Sequence, residues 1–325
     1  MRDRSYDRLA VEDLSVTFVR HHEVITALAH VSISFAPGSR VAIVGETGSG
    51  KSVLASAMLR LLPPSARTTG SIRLGEEELL GAAPARMREF RRLIAALVPQ
   101  SPVESLNPMM AVRRQLTEGV DHLGRRERGF SSRRSLGRHR IEAALATIGF
   151  PVRGDPTHRY AYQLSGGLAQ RAVVAGALAR EPRWIIADEP TKGLDASLRL
   201  RCVEAVRRAC DETQSGLIVI THDLDVARYL ADRMVLLYAG NIVEDAPADI
   251  FFESPAHPYT RGLLAALPER GLRPIPGDPP AAGAVRRGCP FAPRCASVQG
   301  ECRRNYPALR SVNHGHRVRC VPGAC

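Results

Sequence analysis

Short apolar segments recur along the chain, separated by polar or glycine-rich stretches. Alternating apolar and polar residues, or continuous apolar runs of strand length, predict eight strands. These predicted strands are 11–20, 31–35, 41–44, 93–98, 184–187, 217–220, 234–238 and 242–244. Helices are predicted over 51–62, where Pro63 and Pro64 stop the helix, and over 141–148. Strands that alternate with helices predict an α/β protein whose site lies at the ends of parallel strands.

Two segments depart from this pattern. Residues 125–140 are basic and polar and contain glycine and serine, which predicts a solvated and partly disordered connector. Beyond Pro247 the chain is rich in proline, glycine, arginine and cysteine. We therefore expect a main domain over residues 1–250 and a small Cys-rich C-terminal region over residues 251–325.

Composition narrows the class of protein. The chain has 325 residues, is 44% hydrophobic and carries a formal net charge of +12. The arginines are spread along the whole chain, which favours a diffuse surface charge over a nucleic-acid-binding face. No apolar run approaches the roughly 20 residues needed to span a bilayer, and the first residues lack the apolar segment of a secretory signal. These features predict a soluble, cytoplasmic chain that reaches a membrane only through partners.

A phosphate-binding loop is predicted over residues 45–52, between a strand and a helix, which is the context that the P-loop pattern requires. Glycines let backbone N–H groups turn toward phosphate oxygens, and the helix N-terminus adds partial positive charge. Lys51 is expected to contact the β- and γ-phosphates, and the Ser52 hydroxyl to bind Mg²⁺. The loop residues are Gly45, Glu46, Thr47, Gly48, Ser49, Gly50, Lys51 and Ser52.

Two acidic residues and a histidine follow buried strands. Asp188 and Glu189 end the apolar run 184–187, and His222 follows the run 217–220. A strand that ends in two carboxylates is by itself a weak signal, and an isolated histidine is more often structural. Combined with the phosphate loop, the pattern predicts a hydrolytic site with Asp188 on Mg²⁺ and with Glu189 and His222 as catalytic residues.

The segment Leu164-Ser165-Gly166-Gly167-Leu168-Ala169-Gln170-Arg171 resembles the signature sequence of the ATP-binding cassette (ABC) family. The order of motifs matches that family from about residue 9 to residue 250. The D-loop matches at Asp195. This resemblance implies an ABC cassette of the P-loop NTPase fold, with a RecA-like core, an antiparallel β subdomain and an α-helical subdomain over about 101–180. It also implies that Phe18 stacks on adenine and that Gln100 joins Ser52 and Asp188 around Mg²⁺.

In the resembled family two cassettes sandwich two ATP molecules, and ATP binding closes the pair. The residues Ser165, Gly166, Gly167 and Gln170 then contact the ATP of the partner cassette. Leu168 and Lys192 depart from the residues common at their positions, and both departures leave the chain's own phosphate site intact.

Further segments resemble the ATP-binding proteins of oligopeptide and dipeptide importers. These segments are 100–108, 254–260, 263–268, 276–280 and 288–295. The resemblance implies an ATPase that couples hydrolysis to import of peptides or related solutes at the cytoplasmic face of a membrane, as a peripheral subunit. The implied partners are a second and different ABC ATPase, two transmembrane permeases and an extracytoplasmic solute-binding protein, with no nucleic acid. Nickel and opine importers share this tail, so the solute stays open.

A soluble ABC ATPase that acts on DNA or ribosomes is the alternative function, and the basic charge would suit it. DNA-repair relatives carry a long coiled coil between the phosphate loop and the signature, and no heptads lie between Lys51 and Ser165. Ribosomal relatives carry two cassettes, and this chain has one phosphate loop. Both comparisons favour transport.

Four tail cysteines are spaced too widely for the paired CxxC of a zinc ribbon. They are Cys289, Cys295, Cys302 and Cys320. Four thiolates can hold [4Fe–4S] or Zn²⁺. The resemblance implies the cluster, and Zn²⁺ stays the alternative because His314 and His316 could also serve as ligands. Cys202 and Cys210 lie at helical spacing and are expected in the core, whereas Cys325 is expected to bind nothing.

Overall fold

The structure, a computed structural model, describes residues 8–20, 23–121, 130–151, 155–280, 287–313 and 315–323. The strands are β1 (Leu9–Arg20), β2 (Glu23–Phe35), β3 (Arg40–Val44), β4 (Ala66–Leu74), β5 (Glu77–Glu78), β6 (Ala95–Val98), β7 (Trp184–Asp188), β8 (Gly216–Ile220), β9 (Arg233–Tyr238), β10 (Asn241–Pro247), β11 (Leu309–Asn313) and β12 (His316–Arg319). The helices are α1 (Lys51–Met58), α2 (Pro84–Glu89), α3 (Pro102–Ser105), α4 (Val112–Asp121), α5 (Phe130–Thr147), α6 (Gly166–Leu178), α7 (Ala196–Thr213), α8 (Leu224–Leu230), α9 (Ala248–Glu253), α10 (Pro258–Ala265) and α11 (Gly300–Arg304).

The chain divides into two units, and each is formed from separate stretches of sequence. The first comprises Met1–Phe35, Val41–Gly81 and Thr221–Cys325, and the second comprises Ala36–Arg40 and Ala82–Ile220. The C-terminal region therefore folds together with the phosphate loop.

Two sets of strands build the first unit. One is an antiparallel sheet in the order β2-β1-β4-β5, in which buried residues such as Val11 and Val16 of β1 face the core. In the other set β3 runs parallel to β9, and β9 and β10 form an antiparallel hairpin. The C-terminal strand β12 pairs with β10, and β11 pairs with β12. The tail thus extends the sheet that carries the phosphate loop.

The predicted hairpin at residues 239–241 is confirmed. Tyr238 pairs with Asn241, and the two turn residues Ala239 and Gly240 have φ angles of 47° and 77°. Positive φ at both central positions is typical of the turn whose twist matches the flanking strands.

The second unit contains the parallel strands β6, β7 and β8 and the helices α2 to α7. All five residues of β7 and all five of β8 are buried. This burial explains why their sequences are continuous apolar runs, since a parallel strand is covered on both faces. Helices α3 to α6 lie between β6 and β7 in the sequence and pack on one another.

Three predicted elements need correction. The first helix ends at Met58 and not at Leu62, because Arg60 takes a left-handed conformation (φ 52°) and the Leu61 N–H bonds Ser56 O at 2.8 Å. Residues 130–140 are not a disordered connector but part of α5; arginine and leucine are good helix formers and no proline interrupts them. Residues 125–129 lie outside the described residues.

The predicted strand 93–98 begins only at Ala95, because residues Phe90–Ile94 form a π-helical turn. Strand β4 was not predicted from the sequence, because most of its residues are partly or fully exposed and only Ile72 and Leu74 are buried. Among the described residues, no helix combines the length and the apolar character needed to cross a bilayer.

We predict that Gly216→Ala destabilises the protein. Gly216 on β8 pairs with Trp184 on β7, and a Cβ at residue 216 would lie 2.3 Å from Cζ3 of Trp184. Overpacking of this kind lowers the free energy of unfolding by about 1–3 kcal/mol, measured by urea denaturation. Gly81→Ala is the matched control, because nothing lies within 4 Å of the added Cβ. Equal urea midpoints for the two variants would contradict this packing.

Candidate functional site

A glycine-rich loop connects β3 to α1, and two of its positions accept only glycine. Gly45 has φ 145° and Gly50 has φ 103°. A Cβ would lie 2.2 Å from Leu237 O at the first position and 2.6 Å from Ala27 O at the second. The backbone of the loop therefore approaches its neighbours more closely than any side chain allows.

The Lys51 side chain folds back into this loop. Its Nζ donates to Gly45 O at 2.7 Å, to Glu46 O at 2.8 Å and to Ser49 Oγ at 3.4 Å. Lys51 and Ser49 are buried, whereas Ser52 is exposed on the first turn of α1. The ammonium is thus held at the mouth of a loop whose geometry suits an anion.

Glu46 joins the loop to the C-terminal region. Its backbone N–H donates to the Tyr259 hydroxyl at 3.1 Å. Its carboxylate accepts two hydrogen bonds from Arg294, from Nη1 at 2.8 Å and from Nη2 at 3.0 Å. The Arg294 side chain is only 5% exposed, and the paired Glu46 carboxylate raises its pKa further above the ordinary value for arginine.

Sequence analysis missed Tyr259 and Arg294 as neighbours of the phosphate loop. Both lie in tail segments that resemble peptide importers, but nothing in those segments indicates the partner of either side chain. The contact itself could only be read from the structure.

The other predicted residues of the first unit lie at exposed or half-buried positions. Thr47 and Gly48 are exposed at the tip of the loop. Phe18 is half-buried on β1, opposite Ile25 of β2. His222 is exposed and lies two positions after the last residue of β8. The roles of these four residues stay predictions.

In the second unit, the predicted acidic residues and Gln100 share one edge of the parallel strands. Val98 of β6 pairs with Ala187 of β7, so the next residues along both strands leave the sheet at the same edge. Gln100 is exposed there, whereas Asp188 and Glu189 are 6% and 7% exposed. This is the carboxyl edge, where parallel α/β sheets place their ligands.

Glu189 has an unusual backbone. Its φ is 49°, a left-handed conformation that non-glycine residues rarely adopt, and its N–H donates to Ile220 O of β8 at 2.8 Å. Such conformations persist only where the surroundings enforce them, and they cluster at functional sites. The backbone therefore supports the catalytic role predicted for Glu189.

The signature segment forms the N-terminus of α6. Ser165 caps this helix, and its Oγ accepts a hydrogen bond from Leu168 N–H at 3.3 Å. Ser165 and Gly166 are exposed, and Gly167 is half-buried. Gln170 is instead fully buried, and its amide has no hydrogen-bond partner among the described residues. The exposed part of the signature is thus its Ser-Gly cap.

Asp195 of the D-loop caps α7. Its Oδ1 accepts from Leu198 N–H at 3.0 Å and from Ser197 Oγ at 2.8 Å. The hydrogen bond from the Leu198 N–H is the main reason why the pKa of Asp195 lies below its ordinary value. The carboxylate is therefore ionised and fixed at the start of the helix.

Glu244 of β10 anchors the tail. One carboxylate oxygen accepts from Ala256 N–H at 2.7 Å and bonds His316 Nε2 at 2.8 Å. The other accepts from His257 N–H at 2.8 Å and from the Thr260 hydroxyl. Glu244 is 0% exposed. A fully buried carboxylate with four partners joins two parts of the C-terminal region to one strand.

Asp245, the next residue, makes a second anchor. It accepts from Arg233 Nε at 2.6 Å and from Arg317 Nε at 3.1 Å, and it is 1% exposed. Arg233 belongs to β9 and Arg317 to β12, so this carboxylate ties the hairpin to the tail.

The four tail cysteines line one cavity, whose wall also includes His257 and Phe291. The space between these residues amounts to about 280 Å³ when the part open to solvent is included. Burial raises the pKa of the Cys289 thiol. Within the described ranges, no group of three or more histidine, cysteine, aspartate or glutamate residues is arranged to hold a metal ion. The four thiols around this cavity are the donor set of a four-thiolate site.

Neither of the two histidines considered as zinc ligands is placed as a ligand by the described residues. His316 is bonded to Glu244, and His314 lies outside the described residues. Cys202 and Cys210 are buried on α7, and burial raises the pKa of each thiol to about 12. Their assignment to the core is confirmed, whereas Cys325 lies outside the described residues.

Comparison with known proteins identifies the family. Residues 28–192 match the ABC transporter family. The dipeptide transport ATP-binding protein DppD of Bacillus subtilis is 36% identical over 319 residues, which cover 96% of this chain and 93% of the relative. This chain belongs to the ABC transporter family. The ABC chain also matches the oligopeptide/dipeptide transporter C-terminal region, over residues 243–302.

A further relative and two solved structures extend the comparison. The oligopeptide transport ATP-binding protein OppD of Mycobacterium tuberculosis is 38% identical over 320 residues, or 96% of this chain. The ABC chain spans 51% of the length of that relative. A dimeric ATP-binding cassette, MJ0796, bound to ADP and Pi has a TM-score of 0.65 at 24% identity. A second dimeric structure of MJ0796 has a TM-score of 0.66 at 25% identity.

Each structural match covers 74% of this chain and 98% of the other. The likeness shows the fold, and it confirms the ABC cassette expected from the motifs.

We predict that His257 makes the stability of the protein depend on pH. Its Nδ1 accepts from Tyr259 N–H at 3.0 Å at the start of α10, and burial, aided by Arg261, lowers its pKa to about 3. Below pH 6.5 the unfolded chain binds a proton at this residue and the native chain does not. The free energy of unfolding therefore falls with decreasing pH between 6.5 and 3, by at most about 1.4 kcal/mol per pH unit for one histidine.

His257→Asn keeps a cap acceptor and removes the titration. Urea denaturation between pH 7 and pH 4.5 should show a shallower pH dependence for this variant than for wild type. His139→Asn is the control, because His139 is exposed on α5. An unchanged slope in His257→Asn would show that the native imidazole binds a proton in this range.

Proposed function

We propose that this chain is the ATP-hydrolysing, nucleotide-binding subunit of an importer of dipeptides, oligopeptides or related small solutes. One observation carries the proposal: the phosphate loop and the C-terminal region typical of peptide importers lie in one unit and contact each other through Glu46 and Arg294. The names of the bacillar and mycobacterial relatives, dipeptide and oligopeptide transport ATP-binding proteins, support the solute class.

In this proposal the phosphate loop binds the β- and γ-phosphates of ATP. Lys51 exchanges the loop oxygens that now surround its ammonium for phosphate oxygens. The helix N-terminus of α1 adds partial positive charge. Phe18, half-buried on β1, stacks on the adenine.

The oxygen atoms of Ser52, Gln100 and Asp188 are proposed to hold Mg²⁺, which takes oxygen ligands and supplies charge neutralisation on the phosphates when bound. The hydroxyl of Ser52 and the amide of Gln100 belong to exposed residues, and Asp188 lies at the same strand edge as Gln100. Glu189 orients the attacking water and accepts its proton, and His222 orients the γ-phosphate.

The exposed Ser165-Gly166 cap is proposed to bind the γ-phosphate of ATP held by a second cassette. The cap is exposed at the start of the 13-residue helix α6, which supports this role because helix N-termini favour anions. Gly167 and Gln170, also expected to contact that ATP, are half-buried and fully buried in the same helix, so the exposed Ser165 and Gly166 make the proposed contact. Asp195 of the D-loop lies at the start of α7. The dimeric state named for MJ0796 supports a pair of cassettes.

The second cassette is proposed to be a different subunit. Two transmembrane permeases and an extracytoplasmic solute-binding protein would complete the importer at the cytoplasmic face of the membrane. We propose the cassette over residues 1–250, its helical subdomain over 101–180 and the C-terminal region over 251–325. No observation favours the alternative of an ATPase that acts on DNA or ribosomes, and the relatives described above carry transport names.

We predict that Glu189→Gln abolishes ATP turnover and keeps ATP binding, because the amide preserves the side-chain shape but cannot accept the proton of water. The measurement is phosphate release from the chain assembled with its permeases in proteoliposomes, alongside uptake of labelled di- and oligopeptides. Lys51→Ala is the companion variant, and it should lose nucleotide binding itself.

Hydrolysis by Glu189→Gln near the wild-type rate would refute the catalytic role. Peptide-independent hydrolysis by wild type, without uptake of any peptide tested, would refute the proposed solute class while leaving the ATPase intact.

We further propose that Cys289, Cys295, Cys302 and Cys320 hold a [4Fe–4S] cluster. Support comes from the donor set, four thiols around one cavity with apolar neighbours, and from the small apolar core of the tail, in which Cys302 and Cys320 are themselves members. A bound group would stabilise the fold of the C-terminal region, whose apolar core is small.

The prediction for this site is a broad visible absorbance band in anaerobically purified protein, with iron and sulfide in equal amounts. Cys302→Ala should lose the band, and Cys202→Ala, which removes a core thiol outside the cavity, should keep it. Colourless protein with stoichiometric zinc would show that the four cysteines bind Zn²⁺ and not the cluster. Protein free of both iron and zinc would refute the metal site.

A further inference from the structure

Two residues of the C-terminal region bind Glu46 of the phosphate loop, one at its backbone and one at its carboxylate. Its N–H bonds the Tyr259 hydroxyl, and its carboxylate forms a two-pronged ion pair with Arg294. Its carbonyl oxygen accepts from Lys51 Nζ. The backbone of the loop at this residue is thus set by the tail on one side and by the phosphate-binding lysine on the other.

Hydrogen bonds and aromatic rings hold the Arg294 side chain in one orientation. Its Nε donates to Pro276 O at 3.1 Å and its Nη1 donates to the Tyr238 hydroxyl at 3.3 Å. Its guanidinium carbon lies 5.9 Å from the centroids of the Tyr238 and Phe291 rings. A planar guanidinium held at every edge is pre-organised for its bidentate partner.

The charge of Glu46 gives this contact a consequence for the nucleotide. A carboxylate in a loop that binds a triphosphate repels the ligand, and the repulsion is weakly screened where water is scarce. The Glu46 side chain is 23% exposed and its arginine partner 5% exposed, so bulk solvent does little of the screening. Arg294 is therefore the group that neutralises this carboxylate.

We propose that Arg294 is a positioning residue for nucleotide binding: by pairing with Glu46 it neutralises and orients the phosphate loop, so that the C-terminal region sets the affinity for ATP. Tyr259 assists by fixing the Glu46 peptide. The proposal rests on the assignment of residues 45–52 as the phosphate site.

The competing role for the same contact is a structural one. In that case the ion pair only attaches the tail, and its loss lowers stability without a specific effect on the nucleotide. The two roles differ in one respect. If Arg294 acts by neutralisation, its loss lowers the affinity for the nucleotide because the Glu46 carboxylate is left with an unpaired negative charge.

The experiment is a titration of the full-length chain with Mg²⁺ and the non-hydrolysable analogue AMP-PNP, followed by calorimetry, together with the thermal midpoint of each variant. Arg294→Gln should weaken binding about tenfold, the effect of one unpaired charge several ångströms from the phosphates. The double variant Glu46→Gln/Arg294→Gln should bind within about twofold of wild type, because neither protein carries a net charge at this contact. Arg294→Lys keeps the charge and should stay within about threefold of wild type.

Arg319→Ala is the matched control, since Arg319 is a tail arginine whose described bonds go to Ile242 O and Pro307 O. It should leave affinity unchanged. Unaltered affinity in Arg294→Gln, or binding by the double variant as weak as that of Arg294→Gln, would overturn the proposal in favour of the structural role. If Arg294→Gln does not fold, Arg294→Lys and the double substitution decide: weak binding by both would overturn it.

Lys51→Ala separates this inference from the proposed phosphate site. If Lys51→Ala binds AMP-PNP as wild type does, the site is misassigned. If Lys51→Ala loses binding and Arg294→Gln does not, only the role of Arg294 fails.

Discussion

The ammonium of Lys51 sits among oxygen atoms of its own loop, and the shape of the phosphate site depends on that contact. Gly45 O, Glu46 O and Ser49 Oγ all accept from it. A buried cation needs such partners, because an unpaired one would be costly. A triphosphate must compete with these oxygens, so it binds only if the loop keeps its shape while the ammonium changes partners. The groups that fix Glu46 from outside the loop therefore matter more than the loop sequence alone suggests.

Those outer groups are held in place by two consecutive carboxylates of β10. Neighbouring residues of a strand point to opposite faces, and Glu244 and Asp245 accordingly serve different partners. Glu244 gathers the segment that begins α10, which carries Tyr259, and Asp245 holds β12. Both carboxylates are almost fully buried, and removal of a partner would leave an uncompensated charge. The tail is thus attached by specific polar contacts, which fix where Tyr259 and Arg294 lie.

Sequence reasoning succeeded where a motif and its local context coincide. The loop 45–52 was recognisable because a strand precedes it and a helix follows, and the buried strands β7 and β8 because parallel strands are apolar throughout. It failed where the deciding contact is distant. Glu46 and Arg294 are 248 positions apart, and neither residue type indicates its partner. The helical state of residues 130–140 was not predicted, because a basic and polar composition fits an exposed helix as well as a solvated connector, and only the helix propensity of the residues favours the helix.

The aromatic residues between the loop and the thiol cavity connect these features physically. The Phe291 ring lies 5.4 Å from the Tyr238 ring and 5.2 Å from the Tyr259 ring, and the same residue forms part of the cavity wall. Arg294 follows three residues later and directly precedes Cys295. Closely packed interiors transmit displacements because they contain few voids to absorb them. A change at the thiols that moves the segment between Cys289 and Cys295 therefore moves the guanidinium that pairs with Glu46, and the phosphate loop cannot be treated as independent of the tail.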